Sequence, residues 1–525
     1  MVAVVAVTLG TLLAPVVCRL TARLGFLDRP DGHHKGHHAP VPLGGGLLVF
    51  VSAVAGLAFV ACISPVVRLL FRRDATLAIG YLIASSILLI VGLIDDRYGM
   101  RGRHKLLGQV AAALLLTGYG LEVRQLQLLG ETFDLGVMAV PFTVFWLLGA
   151  INALNLLDGL DGLAGTIGLI LSLLVACIAI ISGQPFAALV AVALAGACLA
   201  FTTVNLPPAK MFLGDTGSML IGLMLGGLTL TSCSNGPGLL SLAPAVALLA
   251  VPILDSSFAL LRRRLTGRSI YETDKGHLHH CLMNTLANHH AVLVVTAMAC
   301  LASGTGAVLS VYTKNDVVAL LSGVLMAATF ILLQLFGHVE CQLLLNKLIV
   351  RVLRFPRRRV SGGGGVAART VSVRLQGNRQ WNLLWESLTE WAQQLELLQV
   401  ELDVNLPAMR EGFHASWYQP SARERHECWR VELPLFVDGR SVGRLQASGQ
   451  SRDNQESAGV GVDQFMLLLG PFEEAFARLA ALPADSYESL DSDVSALVAD
   501  LRSHPAERPG YAPLATASRT VGAST

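Results

Sequence analysis

Leu77-Ala78-Ile79-Gly80-Tyr81-Leu82-Ile83-Ala84-Ser85-Ser86-Ile87-Leu88-Leu89-Ile90-Val91-Gly92-Leu93-Ile94-Asp95-Asp96 is the stretch that decides the fold. An uncharged run meets two adjacent aspartates. An α-helix needs about 20 apolar residues to cross a ~30 Å hydrocarbon core, so the run reads as a membrane span ending at a water boundary. The aspartates then sit at a helix C-terminus, where the macrodipole is already negative and each carboxylate costs about 0.3–1 kcal/mol. That cost argues against a mere boundary marker. Arg97, Arg101, Arg103 and Lys105 follow, and a carboxylate pair beside basic groups suits metal-assisted phosphate chemistry.

The same apolar pattern recurs on both sides. Candidate spans are 1–20, 44–70, 77–94, 106–121, 138–156, 165–182, 186–204, 217–233, 239–260, 290–312 and 317–337. The first lacks a basic leader and a small-residue cleavage site, and reads as a retained helix. The expected fold is an all-α polytopic membrane protein of about 11 transmembrane helices, followed by a small soluble α+β domain. Composition agrees: the 525 residues have a mean hydropathy of +0.57, with 53% apolar and only 14% charged, against about 25% charged in ordinary soluble domains. This excludes disordered, collagen-like and disulfide-stapled classes. The net charge of +2 leaves no nucleic-acid footprint. Most of the nine cysteines lie in apolar runs and none forms a CxxC pair, so neither a zinc ribbon nor a disulfide framework is indicated.

Orientation follows from the loops. Alternation puts 21–43, 95–105, 157–164, 205–216 and 261–289 on one side, and they carry 13 Lys and Arg against 4 in the opposite loops. The positive-inside rule makes the richer side cytoplasmic, in the inner (plasma) membrane. The basic cluster Lys347, Arg351, Arg354, Arg357, Arg358 and Arg359 agrees with this.

The unusual polar residues gather on that same side. A transporter would place them near the bilayer midplane, often in repeats. Their gathering at one face suits an enzyme joining a soluble reactant to a lipid headgroup. The first loop holds four histidines, Lys35 and a glycine run at 44–46; it could be a solvated loop or a close approach to phosphate. Asn152, Asn155 and Asp158 are spaced i, i+3, i+6 and share one face if the helix persists. The two Asp-Gly pairs at 158–159 and 161–162 are also turn chemistry, which does not account for asparagines within an apolar run. Asp215 opens the eighth run and is equally a helix N-cap. Phe212 is either a membrane anchor or a platform for a base. In the last loop Arg262, Arg263 and Arg264 precede Asp274, His277, His279 and His280. Basic residues are expected there and histidines are not. No cysteine spacing matches zinc.

Taken together, these five segments resemble the polyprenyl-phosphate N-acetylhexosamine-1-phosphate transferase family (glycosyltransferase family 4), most nearly its undecaprenyl-phosphate N-acetylglucosaminyl branch. The resemblance covers about residues 1–340. It implies attack of a lipid phosphate on the β-phosphate of a UDP-N-acetylhexosamine. UMP leaves, and the lipid diphosphate sugar formed starts cell-envelope polysaccharide synthesis. It implies Asp95, Asp96, Lys105 and Asp158 as catalytic residues. Asn155 and Asp215 match magnesium-holding positions, with Mn2+ as the alternative ion. Asp161 and Phe212 match positions near the uridine. His277, His279 and His280 match the His-x-His-His signature of the UDP-N-acetylhexosamine branch, whereas the muramoyl-pentapeptide branch has a three-histidine run. Lys35, His37, Asn152, Arg263 and Asp274 complete the substrate-binding set. His34 stands where an arginine is usual. The implied partners are the UDP-sugar, undecaprenyl phosphate and the bilayer, and the sequence is compatible with a homodimer. The competing classes are a transporter and an inactive membrane scaffold.

Elementary chemistry supports such a reaction. Phosphoryl transfer is mostly positioning and charge neutralisation. A phosphate monoester has a second pKa of about 6 and is largely dianionic at neutral pH, so it hardly needs a general base. Asp95 and Asp96 can instead order Lys105 and the metal shell.

The domains expected are a membrane core at 1–340, a basic and glycine-rich linker at 341–369, a soluble α+β domain at 370–483 and a disordered tail at 484–525. Within the soluble domain, strands are expected at 370–375, 400–406 and 412–418. A hairpin is expected at 429–446 around Asp438-Gly439, and a closing helix at 465–482. Residues 381–398 read as an amphipathic helix presenting Trp381, Leu384, Trp385, Leu388 and Trp391. No catalytic constellation stands out here, and an unknown protein partner suits it.

Overall fold

A computed structural model describes residues 1–28, 40–236, 238–266, 276–353, 369–376, 381–395, 397–406, 411–419, 428–437, 440–450 and 455–481. The chain forms two compact units, 1–261 with 277–338, and 262–276 with 339–525. Lys35, His37, Asp274, the glycine linker and the tail from 482 lie outside the described residues.

The first unit opens with α1 (Val2–Arg23), the short pair β1 (Leu27–Asp28) and β2 (Val41–Pro42), α2 (Gly45–Ile63) and α3 (Pro65–Arg73). Then come α4 (Ala75–Tyr98), α5 (Gly102–Gly118), β3 (Gln125–Leu128), β4 (Glu131–Asp134), α6 (Ala139–Leu157), α7 (Leu163–Ile181) and α8 (Pro185–Asn205). It continues with α9 (Gly214–Ser232), β5 (Ser234–Gly236), β6 (Leu239–Ser241), α10 (Leu242–Leu248) and α11 (Ala250–Thr266), whose last turn belongs to the second unit. α12 (Leu278–Leu286), α13 (His289–Thr313) and α14 (Asp316–Leu332) close it. Each expected span is thus helical over most of its length, two of them in separate pieces. Among the described residues seven helices are long and apolar enough to cross a membrane, or eight if the bent pair α10–α11 is one span.

Three expectations need correction. The span at 44–70 stops at Ile63, because Ser64 turns extended and Pro65 starts a separate helix that Ser64 caps. The span at 239–260 is a strand followed by two helices bent by 79°. The first unit also holds a four-stranded sheet, β4-β3-β6-β5, in which β3 and β6 run parallel, so it is not purely helical.

Large apolar side chains such as Val4, Phe145, Ile180 and Leu332 face outward. In water such a surface would drive association. In lipid it is solvated, and the helices satisfy their own backbone. The core sits around α9, which packs against α2, α4, α6 and α7. α9 is rich in Gly, Ser and Thr, because small residues let helix backbones meet. A β-carbon on Gly92 would lie 2.3 Å from Thr216 Cα, and one on Gly46 would lie 2.4 Å from Gly217 N.

The second unit contains α15 (His338–Leu353), β7 (Arg369–Gln376), α16 (Trp381–Gln394), β8 (Leu397–Leu406), β9 (Glu411–Tyr418), β10 (Cys428–Val437), β11 (Arg440–Gln450) and α17 (Gln455–Ala481). Its sheet has the order β10-β11-β8-β9-β7, antiparallel throughout. The anticipated face of α16 is buried, and Trp381, Trp417, Phe472 and Phe476 form a core with it. α16 stops short of the expected 398 because Leu397 begins β8.

Gly92→Ala should lower stability by about 1–3 kcal/mol through overpacking, whereas Gly149→Ala, with no atom within 4 Å of the added carbon, should be neutral or stabilise by about 0.4–1 kcal/mol. Thermal unfolding of both in one detergent checks this, and equal midpoints would contradict the close packing of α4 on α9.

Candidate active site

The C-termini of α4 and α6 and the N-terminus of α9 meet at one end of the bundle. At the end of α4 the backbone reverses at Gly99, with φ +68°. Asp95 Oδ1 then accepts from the Met100 amide at 2.6 Å, which leaves Oδ2 facing Lys105 Nζ at 3.1 Å. Lys105, in the first turn of α5, also reaches Asp215 Oδ1 at 2.7 Å and donates to Asn155 Oδ1 at 3.3 Å. Asn155 in turn donates to Ser218 Oγ at 2.9 Å. Side chains from α4, α6 and α9 therefore converge on one ammonium group, and Asp215 keeps part of its surface open.

Asp96 does different work. It accepts from the amides of Asp215 at 2.8 Å and Thr216 at 3.2 Å, and from Thr216 Oγ1 at 2.6 Å. α9 has no cap of its own, so α4 supplies one. This removes the N-cap reading of Asp215, which lies inside the first turn with its carboxylate turned to Lys105. Gly214 has φ +73°, and a β-carbon there would come 2.6 Å from Asp96 Oδ2. Glycine is required on both counts.

The face proposed for Asn152, Asn155 and Asp158 does not persist, because α6 ends at Leu157 and Asp158 adopts φ −77°, ψ 59°. Asn152 exchanges amide hydrogen bonds with the buried Gln109. This ties α5 to α6 and occupies the polar atoms expected to bind substrate. Asp161 Oδ2 accepts from the Ala209 amide at 3.1 Å. Asn205 bridges the Gly162 amide to the Met211 carbonyl. The Asp161 turn and the Phe212 loop are thereby held together. Arg97 is not part of the cluster: it donates to the Gly25 carbonyl and lies over the Phe26 and Tyr98 rings.

The histidines close the site from α12. The His277 and His279 rings stack at 6.1 Å, and His280 lies 4.2 Å from His279. A β-carbon on Gly159 would come 2.3 Å from His279 Nε2, so this ring rests against the Asp158–Gly159 turn. Burial, and then His280 and His277, hold the His279 imidazole well below its ordinary value, so it is neutral. Neither ring nitrogen of His279 has a hydrogen-bond partner among the described residues. Arg263 falls in the other compact unit. Sequence reasoning missed Gln109, Thr216, Ser218, Asn205 and Asp255. Asp255 alone carried a signal, as a carboxylate within an apolar run.

Burial, and then the carboxylates of Asp215, Asp96 and Asp161, push the Asp158 carboxyl up to about 8. A carboxyl whose folded value exceeds its unfolded value of about 3.9 keeps a proton that the unfolded chain releases. It therefore lowers stability as pH rises through that window. Asp158→Asn should flatten the loss of stability between about pH 4 and about pH 8 and raise the midpoint at the alkaline end. Thermal unfolding against pH in chelator checks this; an unchanged slope in the variant would sink the assignment.

Residues 78–233, which include Asp95, Asp96, Lys105, Asn155, Asp158 and Asp215, match the family described as Glycosyl transferase family 4. The chain is 31% identical over 287 residues to a probable undecaprenyl-phosphate N-acetylglucosaminyl 1-phosphate transferase of Bacillus subtilis, covering 54% of this chain and 77% of that protein. It is 32% identical over 334 residues to a decaprenyl-phosphate N-acetylglucosaminephosphotransferase of Mycobacterium tuberculosis, covering 59% and 82%. An undecaprenyl-phosphate alpha-N-acetylglucosaminyl 1-phosphate transferase of Haemophilus influenzae is 29% identical, with 59% and 86% covered.

Proposed function

The chain belongs to glycosyl transferase family 4, and from that footing we propose that it transfers N-acetylglucosamine 1-phosphate from UDP-N-acetylglucosamine to undecaprenyl phosphate. An oxygen of the lipid phosphate bonds to the β-phosphorus, the bridge to the α-phosphate breaks, and UMP leaves with the bridging oxygen. The product is a polyprenyl diphosphate sugar, the start of an envelope polysaccharide. The observation that carries this reading is the convergence of Asp95, Asn155 and Asp215 on Lys105 within the matched segment.

The donor set fits a hard divalent cation. Asp215 Oδ1 and Asn155 Oδ1 are oxygens already gathered about one positive charge. Among the described residues no group of three or more Asp, Glu, His or Cys could hold an ion alone. Magnesium tolerates this, since it takes few protein ligands and fills its shell with water and substrate phosphates. Asp215 and Asn155 would hold it, and bound there it would neutralise charge on the phosphates. Lys105 binds the phosphate oxygens, Asp95 keeps the ammonium in place, and Asp96 holds the turn that carries Asp215. The Asp161 turn and Phe212 loop receive the uridine, and the His277, His279 and His280 rings face the sugar phosphate. The dianionic acceptor needs no proton removed.

On this reading the chain crosses the membrane eleven times, with α5, α9 and α14 added to the eight spans above. The active end lies in the cytoplasm. UMP release from UDP-N-acetylglucosamine should require both polyprenyl phosphate and magnesium, and should fail with UDP-N-acetylmuramoyl pentapeptide. Asp215→Asn keeps the shape and loses the charge. It should cut turnover by about 100-fold or more, the scale of losing one electrostatic stabiliser, while the protein still inserts. Wild-type turnover by that variant at limiting magnesium would remove Asp215 from the metal site.

The second unit has its own core and, of the described residues assigned above, holds only Arg263. It suits a regulatory or partner-binding role. Truncation after Arg359 should leave a magnesium-dependent transferase in detergent. A hundredfold loss at matched folded concentration, about 2.7 kcal/mol, would place this unit in the active site.

A further inference from the structure

Asp255 lies in α11, the one charged residue between Ala250 and Leu261, and is 0% exposed. A carboxylate so placed needs partners, and among the described residues it has two. Its Oδ2 lies 3.0 Å from His277 Nδ1, and its Oδ1 accepts from the Leu278 amide at 2.6 Å. Leu278 is the first residue of α12, and the N-cap residue His277 supplies no side-chain cap. One carboxylate therefore fixes both the start of the helix and the ring at its edge. The His277 and His279 rings are nearly parallel, 8° apart. His279 is 97% buried against Gly159, with both ring nitrogens unpartnered among the described residues. A buried, unpartnered imidazole at the rim of a site awaits a hydrogen-bonding ligand.

We propose that Asp255 is a positioning residue for donor recognition: it holds His277 with the proton on Nδ1 and seats α12, so that the three rings stand over the Asp158–Gly159 turn and meet the phosphosugar half of the nucleotide. The proposal rests on the transferase reading of the same site. Asp255 touches no substrate and acts through His277. The other ring nitrogen, Nε2, is left to face the ligand with its lone pair or, once protonated, as a donor.

Asp255→Asn separates this role from a plain helix cap. The amide keeps an oxygen for the Leu278 amide but turns an NH2 group toward His277 Nδ1, which must then accept, moving the ring proton to Nε2. The full-length enzyme in detergent should show His277 protonated on Nδ1 by 15N-histidine NMR, assigned by the signal lost in His277→Gln. Asp255→Asn should move that proton to Nε2 and keep the melting midpoint. It should lower kcat/KM for UDP-N-acetylglucosamine by about 10–100-fold, the range for losing a partner that orients a histidine, while KM for polyprenyl phosphate stays within about threefold. An unprotonated Nδ1 in the wild type, or native kinetics in Asp255→Asn, would overturn the proposal. So would equal losses for both substrates with a lowered midpoint. A wild type that releases no UMP overturns the transferase reading instead, and the tautomer measurement, which needs no turnover, still decides the link from Asp255 to His277.

Discussion

The clasp between Asp96 and the first amides of α9 is the contact on which the active end depends. α4 and α9 run in opposite directions, so the negative end of one helix dipole lies beside the positive end of the other. A carboxylate at the end of α4 is disfavoured by its own helix and favoured by its neighbour. The clasp forms only because Gly92 and Gly214 let the two backbones come together. With α9 held there, Asp215 faces Lys105 and Asn155. Packing at three glycines, Gly46 included, is thus translated into the placement of one charge.

The same contact explains what the sequence could and could not tell. Asp95-Asp96 stood out because two carboxylates at a helix C-terminus need a compensating partner. The pattern could not show that the compensation is divided, with Asp95 serving Lys105 and Asp96 capping another helix. Arg97 looked like part of the compensation and is anchored at Gly25 instead. The i, i+3, i+6 spacing of Asn152, Asn155 and Asp158 was legible, but it assumed a helix that stops at Leu157. Where spacing holds, between Asn152 and Asn155, one amide binds Gln109 and the other joins the charged cluster. Residues sharing a helical face need not share a task.

The membrane helices were legible because length and apolarity are set by bilayer thickness. Their interruptions were less so. Pro65 after Ser64 was a readable break within a run long enough to hide it. The sheet β4-β3-β6-β5 has strands of three or four residues, too short for a period of two to register. α9 shows the opposite effect, since a helix at the centre of the bundle has little need of large apolar side chains and its hydropathy falls. Asp255 lies within an expected span, where a carboxylate needs a partner that residue spacing does not identify. In the second unit the Trp-bearing face of α16 was read directly, because a helix that covers a sheet keeps its 3.6-residue period.

Electrostatics explains why such a site has to be completed by its ligands. Asp95 and Asp215 share one ammonium, Lys105, the carboxylates of Asp215, Asp96 and Asp161 act on Asp158, and the proposed reactants are themselves anions. Dianionic phosphates would be repelled from a pocket of that sign. Asp96 is neutralised in effect by amide dipoles, and Asp95 is matched by the ammonium. Asp215 shares the same ammonium, and the Asp158 carboxyl, pushed up to about 8 by burial and by its acidic neighbours, keeps its proton at neutral pH rather than add a further charge. A hard cation arriving with the diphosphate would meet oxygens already gathered and relieve that repulsion in the same step that it screens the substrate. On the proposed reading, stability lost to crowded carboxylates becomes affinity for a metal–phosphate pair.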